Sequence, residues 1–155
     1  LIALNSEFDQ SINQKEDIIS KDAIAGFNLF MGKALCGTCH FFPIFNGTVP
    51  PKFNKTEWEV IGVPGNADFN NSIMDLDSGR YLVYGKFLHQ FAFKTPGVRN
   101  MNLTAPYMHN GVYSNLEDVV RFYNLGGGQG LGLDIQNQTL PFESLTLNTI
   151  EIKQI

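Results

Sequence analysis

The sequence predicts a mainly α domain in which long irregular loops surround a few short helices. Two amphipathic segments favour helices: apolar residues recur at three- and four-residue steps in residues 21–34, and a capping signature precedes a second such segment after Ser114. Loops are indicated by the 15 Gly and 7 Pro that are spread along the 155 residues. A chain of this length fits one domain that buries its own core.

The composition is that of an ordinary globular chain, with 43% hydrophobic and 17% charged residues. The net charge of -4 argues against nucleic acid and anionic membranes as partners, and no apolar run reaches the length of a membrane span. Because neither an initiator Met nor a signal peptide is present, we expect a mature, trimmed or excised sequence. Residues 1–20 are expected to be a polar linker or lead-in from a preceding domain, with a short apolar start at residues 1–4.

Ser20 is the predicted N-cap of a helix over residues 21–34. One face of this helix carries the apolar side chains Ile24, Phe27, Phe30, Met31 and Ala34. Gly26 and Gly32 weaken the helix by about 1 kcal/mol each relative to Ala. Either a close contact with a helix or the haem, or simple tolerance, would explain them.

The C-x-x-C-H motif, Cys36-Gly37-Thr38-Cys39-His40, follows this helix. In this pattern two thiols bond to the vinyl groups of a c-type haem, and the next imidazole binds the iron. One alternative is a thioredoxin-like redox pair, which needs a βαβ context that is not visible. The other is half of a zinc site, although His89 and His109 are isolated in sequence. We predict one covalent haem c, and hence a periplasmic or extracytoplasmic location, because this haem is attached outside the cytoplasm.

Irregular sequence follows the motif as far as residue 85. The apolar loop at residues 41–47 ends in an Asn-Gly turn and would form an apolar wall beside a haem, which raises its reduction potential. Trp58 is expected in the core. Asp75 and Asp77 resemble part of a calcium-binding loop, but the rest of that pattern is missing, so we interpret them as surface turn residues.

Residues 91–111 predict an ordered loop, because they hold two Pro and little periodicity. Arg99 in this loop could neutralise a haem propionate. The candidates for the second axial ligand, opposite His40, are Met101, Met108, His109 and Tyr123. Met ligation is common in electron-carrying cytochromes, and Met101 and Met108 follow His40 by 61 and 68 residues, which suits a single-haem fold.

Ser114 and Glu117 form a capping box that predicts a helix of about ten residues, ended by three Gly at 126–128. Tyr123 lies on the apolar face of this helix, so its side chain should point towards the core or the haem. It would then be either an iron ligand or a buried aromatic residue whose hydroxyl is satisfied by backbone.

The rest of the chain predicts a loop and one more helix. Residues 124–143 are Gly-rich and polar, which indicates a loop. Asn148 and Glu151 form a second capping signature, and the helix that it opens has barely begun at Ile155. We therefore expect the sequence to be truncated within this helix.

Several separate motifs occur in the order found in one protein family. They are Gly26 to Phe30, the C-x-x-C-H motif, Asp77-Ser78-Gly79-Arg80, Phe93-Lys94-Thr95-Pro96-Gly97-Val98-Arg99-Asn100, Leu103-Thr104-Ala105-Pro106-Tyr107-Met108-His109-Asn110-Gly111, Leu116-Glu117-Asp118-Val119-Val120 and Phe122-Tyr123. On these residues the chain resembles the C-terminal haem domain of bacterial di-haem cytochrome c peroxidases and their MauG-type relatives. The resemblance implies a cytochrome c-like (class I) helical domain over residues 21–155, with long irregular loops around one covalently bound haem.

The resemblance also implies a function. Members carry two haems, and the peroxide-reactive haem lies in an N-terminal domain, whereas this sequence holds a single C-x-x-C-H motif. We therefore expect a fragment that relays electrons from a donor protein to that second haem, within an oxidoreductase whose ultimate substrate is hydrogen peroxide. Alone, the domain is expected only to transfer electrons. A stand-alone monohaem electron carrier and a self-contained peroxidase with an open sixth position are the alternatives.

Individual residue roles follow from the same resemblance. In the peroxidases a Met binds the iron fourteen residues after the His of the Pro-Tyr-x-His motif; counted from His109, that position is Tyr123, and in MauG-type relatives a Tyr there binds the iron. His109 is expected beside the haem, bonded to a propionate or a carbonyl. The backbone carbonyls of Thr104 and Pro106 are expected in a calcium site that also needs a ligand from the other domain.

Overall fold

The helices of the computed structural model are short and are separated by long connections. The structure describes residues 6–13 and 18–155, so the apolar start at residues 1–4 lies outside the described residues. The helices within these ranges are α1 (Glu7–Ile12), α2 (Lys21–Met31), α3 (Tyr81–Tyr84), α4 (Leu116–Asn124), α5 (Gly127–Gly130) and α6 (Thr149–Gln154). Strands β1 (Trp58–Glu59) and β2 (Phe93–Lys94) form a small antiparallel sheet. The helical, loop-rich architecture agrees with the prediction, and the sheet is an addition to it.

Helix α2 begins where the sequence predicts and ends earlier. Ser20 is the N-cap, and its hydroxyl accepts a hydrogen bond from a backbone N–H in the first turn at 3.1 Å. The helix ends at Met31 rather than at residue 34, because Gly32 forms the C-cap and its N–H donates to carbonyls of the last turn. On the predicted apolar face Ala34 is buried and Phe27 and Phe30 are half-buried, whereas Ile24 and Met31 are exposed.

Gly26 lies where α2 and α6 meet. A Cβ atom on Gly26 would lie 1.8 Å from the Gln154 carbonyl oxygen, so only glycine lets the two backbones approach this closely. Lys33 and Glu151 join the same two segments, with 2.7 Å between Nζ and Oε2. A close contact therefore explains this glycine, and it is the first of the two explanations that the sequence allows.

Helix α1 lies within the stretch predicted to be a linker. A capping box between Ser6 and Asp9 closes its N-terminus. The Phe8 ring packs on two later phenylalanines, with centroid distances of 5.1 Å to Phe45 and 5.4 Å to Phe27. These described residues therefore pack against residues beyond position 20, while the domain division at that position stays a prediction.

The C-terminal part differs from the prediction in one cap and one helix. Asn115 rather than Ser114 caps α4, because the backbone at Asn115 is still extended and its side chain accepts a first-turn N–H at 2.8 Å. The segment predicted as a Gly-rich loop contains the short helix α5. The capping box of α6 is confirmed, since the Asn148 side chain accepts the Glu151 N–H and the Glu151 carboxylate accepts the Asn148 N–H.

The centre of the buried core is formed by residues outside the helices. Its central cluster is Val60, Ala92 and Ile135, against which Met74, Phe91 and Leu133 pack. Trp58, predicted in the core, is 40% exposed, because its ring instead carries the Arg80 guanidinium at 4.3 Å from the centroid. None of the helices in the described ranges is long and apolar enough to cross a bilayer.

Candidate haem-binding site

The C-x-x-C-H motif forms a tight turn shortly after α2. Leu35 takes a left-handed backbone conformation with φ of 58°, and a 3-10 turn follows over Cys36–Thr38. The His40 N–H then donates to the Cys36 carbonyl at 2.9 Å. Both cysteines are free and half-buried. The five residues therefore present two thiols and an imidazole from a single turn of backbone.

The His40 imidazole is held by a carbonyl from a distant loop. Its Nδ1 lies 3.0 Å from the Pro96 carbonyl oxygen. Because a carbonyl can only accept, Nδ1 carries the proton and Nε2 keeps its lone pair. Burial lowers the pKa of His40, so the ring is neutral at neutral pH. This is the tautomer and charge state that an iron-binding imidazole requires, and a hydrogen-bonded second nitrogen is usual for such ligands.

The thiol environment does not fit a redox-active pair. Burial raises the pKa of Cys36 to about 11. Burial, and next the negative charge of Glu59, also raise the pKa of Cys39. Thiol–disulfide chemistry needs an attacking cysteine with a lowered pKa. The thioredoxin-like interpretation of the motif is therefore disfavoured.

The arrangement does not fit a structural zinc site either. Within residues 6–13 and 18–155, one group of at least three possible ligands has all its donor atoms within 4.8 Å of one another, namely Cys39, Glu57 and Glu59. That group leaves out Cys36 and His40. Structural zinc is usually enclosed by four Cys and His ligands, and this group contains one such residue, Cys39.

Tyr123 lies on α4 close to the motif. Burial raises the pKa of its phenol, and the negative charges of Cys36, Cys39 and Glu59 raise it further. The phenol is therefore buried and lies within electrostatic range of both thiols. Its role as iron ligand stays a prediction.

Aromatic rings form an apolar wall next to His40. The Phe30 ring centroid lies 6.2 Å from the imidazole and 6.0 Å from the Phe45 ring. The other rings around Phe45 are Phe8, Phe27 and Phe42. The apolar character predicted for the loop at residues 41–47 is confirmed by this cluster, which combines that loop with α1 and α2.

Arg99, predicted to neutralise a propionate, pairs with a carboxylate of the protein. Its Nη1 and Nη2 atoms donate to the two oxygens of Asp9 at 3.0 and 2.9 Å, and Nη2 also donates to the Pro43 carbonyl at 2.8 Å. The guanidinium therefore lies on the loop that follows His40. A contact with a propionate stays a prediction.

His109, predicted beside the haem, is bonded to Asp75. The Nε2 atom of His109 lies 2.8 Å from Asp75 Oδ2, and Asn110 donates to the same oxygen at 2.7 Å. The Phe93 ring stacks on the imidazole, with 3.6 Å between centroids. Asp75, interpreted from the sequence as a surface turn residue, is half-buried and ties the Pro-Tyr-Met-His segment to an earlier loop.

The remaining predicted site residues lie together at 101–108. Met101 and Met108 are half-buried, whereas Thr104 and Pro106 are exposed. The Tyr107 hydroxyl donates to the Met101 carbonyl at 2.9 Å and steadies this segment. The choice between Tyr123 and the methionines as ligand, and the calcium site at Thr104 and Pro106, stay predictions.

Four residues of the site have no role in the sequence interpretation. Pro96 lies within the Phe-Lys-Thr-Pro motif, and this motif was the sequence signal that could have indicated its role. Asp9 reaches Arg99 from 90 positions away, and no local pattern indicates that contact. Glu57 and Glu59 are brought beside Cys39 by β1 and the residues before it; burial raises the pKa of Glu57, and Glu59 adds to the shift.

These residues together fit a covalently attached haem in a small helical domain. The two thiols are unpaired and stand at the required spacing, the Nδ1 of His40 is held by the Pro96 carbonyl so that Nε2 carries the lone pair, and a buried phenol lies within electrostatic range of the thiols. Apolar side chains that precede and follow the motif are exposed, namely Met31, Leu35, Phe42 and Ile44. They supply apolar surface of the kind that a porphyrin covers.

Curated relatives confirm the resemblance seen in the motifs. The chain is 35% identical over 167 residues to cytochrome-c peroxidase IdrP2 of Pseudomonas sp. (strain SCT). The aligned region covers 95% of this chain and 41% of the relative. It is 32% identical over 144 residues to methylamine utilization protein MauG of Methylorubrum extorquens, with coverages of 92% and 36%. Most of the chain is therefore homologous to a part of cytochrome-c peroxidases and MauG, and this homology implies a c-type haem.

Two further comparisons bear on fold and extent. A solved structure of a MauG-like protein associated with microbial copper homeostasis superposes with a TM-score of 0.77 over 98% of this chain and 49% of that chain, at 20% identity, and so shows a shared fold. The chain spans less than half the length of the relatives named here. No protein-family profile matches it.

Proposed function

We propose that this chain is the cytochrome c-like, class I haem domain of a two-haem oxidoreductase of the peroxidase or MauG type, and that it relays electrons to a peroxide-reactive haem. The observation that carries the proposal is the C-x-x-C-H turn in which His40 Nδ1 is already bonded to the Pro96 carbonyl, with the buried phenol of Tyr123 within electrostatic range of the thiols. Similarity to cytochrome-c peroxidases and MauG supports haem attachment over other uses of the motif.

Each residue of the turn has a separate task. Cys36 and Cys39 would hold the haem through thioether bonds, and His40 would bind the iron through Nε2. When bound, the haem supplies an iron that gains and loses one electron. Tyr123 is the proposed ligand on the opposite side. With protein ligands on both sides no position is left for peroxide, so electron transfer is the task that remains for this domain.

Two features of the surroundings act on the reduction potential in opposite directions. The apolar rings of Phe30 and Phe45 disfavour the extra charge of ferric iron and raise the potential. An anionic Tyr123 ligand would favour ferric iron and lower it. Because burial raises the pKa of this phenol, only a nearby cation would hold it deprotonated at neutral pH.

The proposal includes partners and a location. The partners are an N-terminal peroxidatic haem domain (in the same parent chain or separate), an electron-donor protein, and hydrogen peroxide as ultimate substrate. The location is periplasmic or extracytoplasmic, where covalent haem is attached. Arg99 is the proposed neighbour of a propionate, and His109 the proposed partner of a propionate or a carbonyl. Thr104 and Pro106 supply carbonyls to the proposed calcium site between the domains.

Absorption spectra of the ferric, haem-loaded full-length protein test the ligand assignment. Tyr123→Phe should change the spectrum, because it removes the proposed oxygen ligand and keeps the ring. Met108→Leu is the matched control and should leave the spectrum unchanged. A spectral change in Met108→Leu but not in Tyr123→Phe would identify Met108 as the ligand instead.

The number of haems in the full-length protein tests whether this domain belongs to a two-haem oxidoreductase. Two haems by mass are expected. A single haem with two protein ligands would instead make the protein a stand-alone electron carrier. A five-coordinate, high-spin spectrum of a single-haem wild type would make it a self-contained peroxidase.

A further inference from the structure

A row of exposed apolar side chains follows Arg80. We call residues 81–88 the apolar ridge; α3 forms its first half, and the 3-10 turn at Phe87–His89 contributes to its second. The exposed fractions are 39% for Tyr81, 73% for Leu82, 77% for Val83, 54% for Tyr84, 55% for Phe87 and 75% for Leu88. Single exposed apolar residues are ordinary, but a contiguous group of this kind indicates a surface that contacts another apolar phase.

The ridge protrudes from the domain. Gly85 joins its two halves with φ of 61°, and a Cβ placed on Gly85 would meet no atom within 4 Å. At the base, the Arg80 guanidinium lies 4.3 Å from the Trp58 ring centroid and 4.6 Å from that of Tyr84. Aliphatic side chains at a tip, with Tyr, Trp and basic groups behind them, suit the boundary between lipid tails and headgroups.

The stretch of sequence that holds the ridge is basic. Residues 78–90 contain Arg80 and Lys86 and no Asp or Glu. Lys86 is exposed within the ridge itself. Acidic residues near it include Asp77 in sequence, Glu59 next to Trp58, and Asp134, which lines a cavity together with Phe87. The net charge of -4 thus averages over a basic stretch and a more acidic remainder.

We propose that the apolar ridge docks onto the surface of an anionic phospholipid bilayer. Leu82, Val83 and Leu88 enter the boundary of the acyl chains, and Lys86 meets the headgroup phosphates. A bilayer offers an apolar layer directly beneath a negatively charged one, which is the combination that this ridge complements. The proposal is independent of the haem chemistry, and it differs from the expectation from net charge, which argues against anionic membranes as partners.

Co-sedimentation with vesicles tests the proposal, using the haem-loaded full-length protein. The protein should bind vesicles of mixed phosphatidylglycerol and phosphatidylcholine, bind pure phosphatidylcholine much more weakly, and lose affinity as salt is added. The double variant Leu82→Gln/Leu88→Gln and the single variant Lys86→Glu should each weaken binding by about ten-fold or more. These side chains are largely exposed, so folding should be unaffected, and circular dichroism checks this.

Matched controls lie on α6. Ile150 is apolar and 69% exposed, and Lys153 is exposed, so Ile150→Gln and Lys153→Glu should bind vesicles as the wild type does. Failure of the wild type to bind anionic vesicles overturns the proposal, as does equal binding by the ridge variants. The wild type could instead fail to bind vesicles and form a dimer that the double variant converts to a monomer. In that case the proposal is overturned, and the ridge is a contact between copies of the chain.

Discussion

Asp9 and Arg99 form the ion pair that ties α1 to the loop after His40. The contact is bidentate, and the side chains are only 10% and 19% exposed, so it is shielded from water more than an ordinary surface pair. Hydrogen bonds from Arg99, and next from Ser6, lower the pKa of Asp9 to about 2. A residue from the predicted linker thus stabilises the loops around the motif.

Replacing Asp9 by Asn should lower the free energy of unfolding by about 1–2 kcal/mol at pH 7, because the charge partner of Arg99 is lost. The folded pKa of Asp9, about 2, is below its unfolded value. The carboxylate therefore stabilises the fold above about pH 4, and this stabilisation disappears as the pH falls towards 2. Urea unfolding at pH 7 and at successively lower pH measures the difference between the two proteins.

Glu7→Gln is the control for this prediction, since Glu7 is exposed on the same helix. Its effect should stay below about 0.5 kcal/mol. A difference between wild type and Asp9→Asn that stays constant down to pH 2 would show that the carboxylate charge is not the cause.

Helix α4 is the element that carries Tyr123, and its N-terminus is capped by Asn115. The side chain accepts the Asp118 N–H at 2.8 Å, and it donates to the Asp118 carboxylate at 2.7 Å. Ser114 is exposed and precedes the cap by one residue. The stability of this helix affects the position of Tyr123 next to the thiols.

Asn115→Ala should lower the free energy of unfolding by about 1 kcal/mol, the usual effect of losing an N-cap side chain. Ser114→Ala should change it by less than about 0.5 kcal/mol. Thermal and urea unfolding of the pair decide between the two positions. The reverse order of effects would restore Ser114 as the cap.

Another prediction concerns the contact between α2 and α6. Gly26→Ala gains about 1 kcal/mol of helix propensity, but its Cβ atom would overlap the Gln154 carbonyl. Overlap of this size forces the helices apart, so a net loss of about 2 kcal/mol is expected. Chemical denaturation measures it, with Asn28→Ala on the exposed side of α2 as control. A stabilised Gly26→Ala protein would contradict the observed packing.

How far the sequence predicts an element depends on how local its cause is. The caps at Ser20 and Asn148 are set by residues within one turn, and both are confirmed. Helix α2 ends early because Gly32 forms its C-cap. In the sequence this glycine was explained either by a close contact or by tolerance within the helix, and neither explanation predicts a helix end. The pairing of β1 with β2 joins positions far apart in sequence, and strands of two residues leave no alternation to recognise.

At the scale of the whole molecule, the C-x-x-C-H motif connects segments from both ends of the chain. α1 packs on the aromatic wall, α2 leads into the turn, and α4 brings Tyr123 to it. α6 crosses α2 in turn. Because apolar side chains around the motif are exposed, a bound haem would add to the apolar surface buried on folding.

The double variant Cys36→Ser/Cys39→Ser, made in cells that attach haem, should accumulate without covalent haem. Its Tm should fall by about 10 °C or more, because ligand binding to the folded state contributes several kcal/mol. Absorption and calorimetry measure both effects. Thr38→Ala, between the two cysteines, is the control and should keep its haem. A double variant as stable as the wild type would show that the haem contributes little to folding.

The site itself was predictable only in its local part. The five residues of the motif identify the thiols and the imidazole because their chemistry depends on spacing alone. The contacts that hold the surrounding loops come from elsewhere: Pro96 lies 56 positions from His40, and Asp9 reaches Arg99 from 90 positions away. Composition and periodicity carry no information about such pairs, and the apolar ridge is a surface property that appears only once burial is known.

The acceptor that orients His40 belongs to the main chain. Every amino acid has a carbonyl, so exchanging the side chain at position 96 does not delete this hydrogen bond; it is lost only if the strand-to-loop path after Lys94 is displaced. Point mutations in that loop should therefore act on the imidazole only through backbone movement, and the ring keeps its proton on the same nitrogen for as long as the backbone path is unchanged.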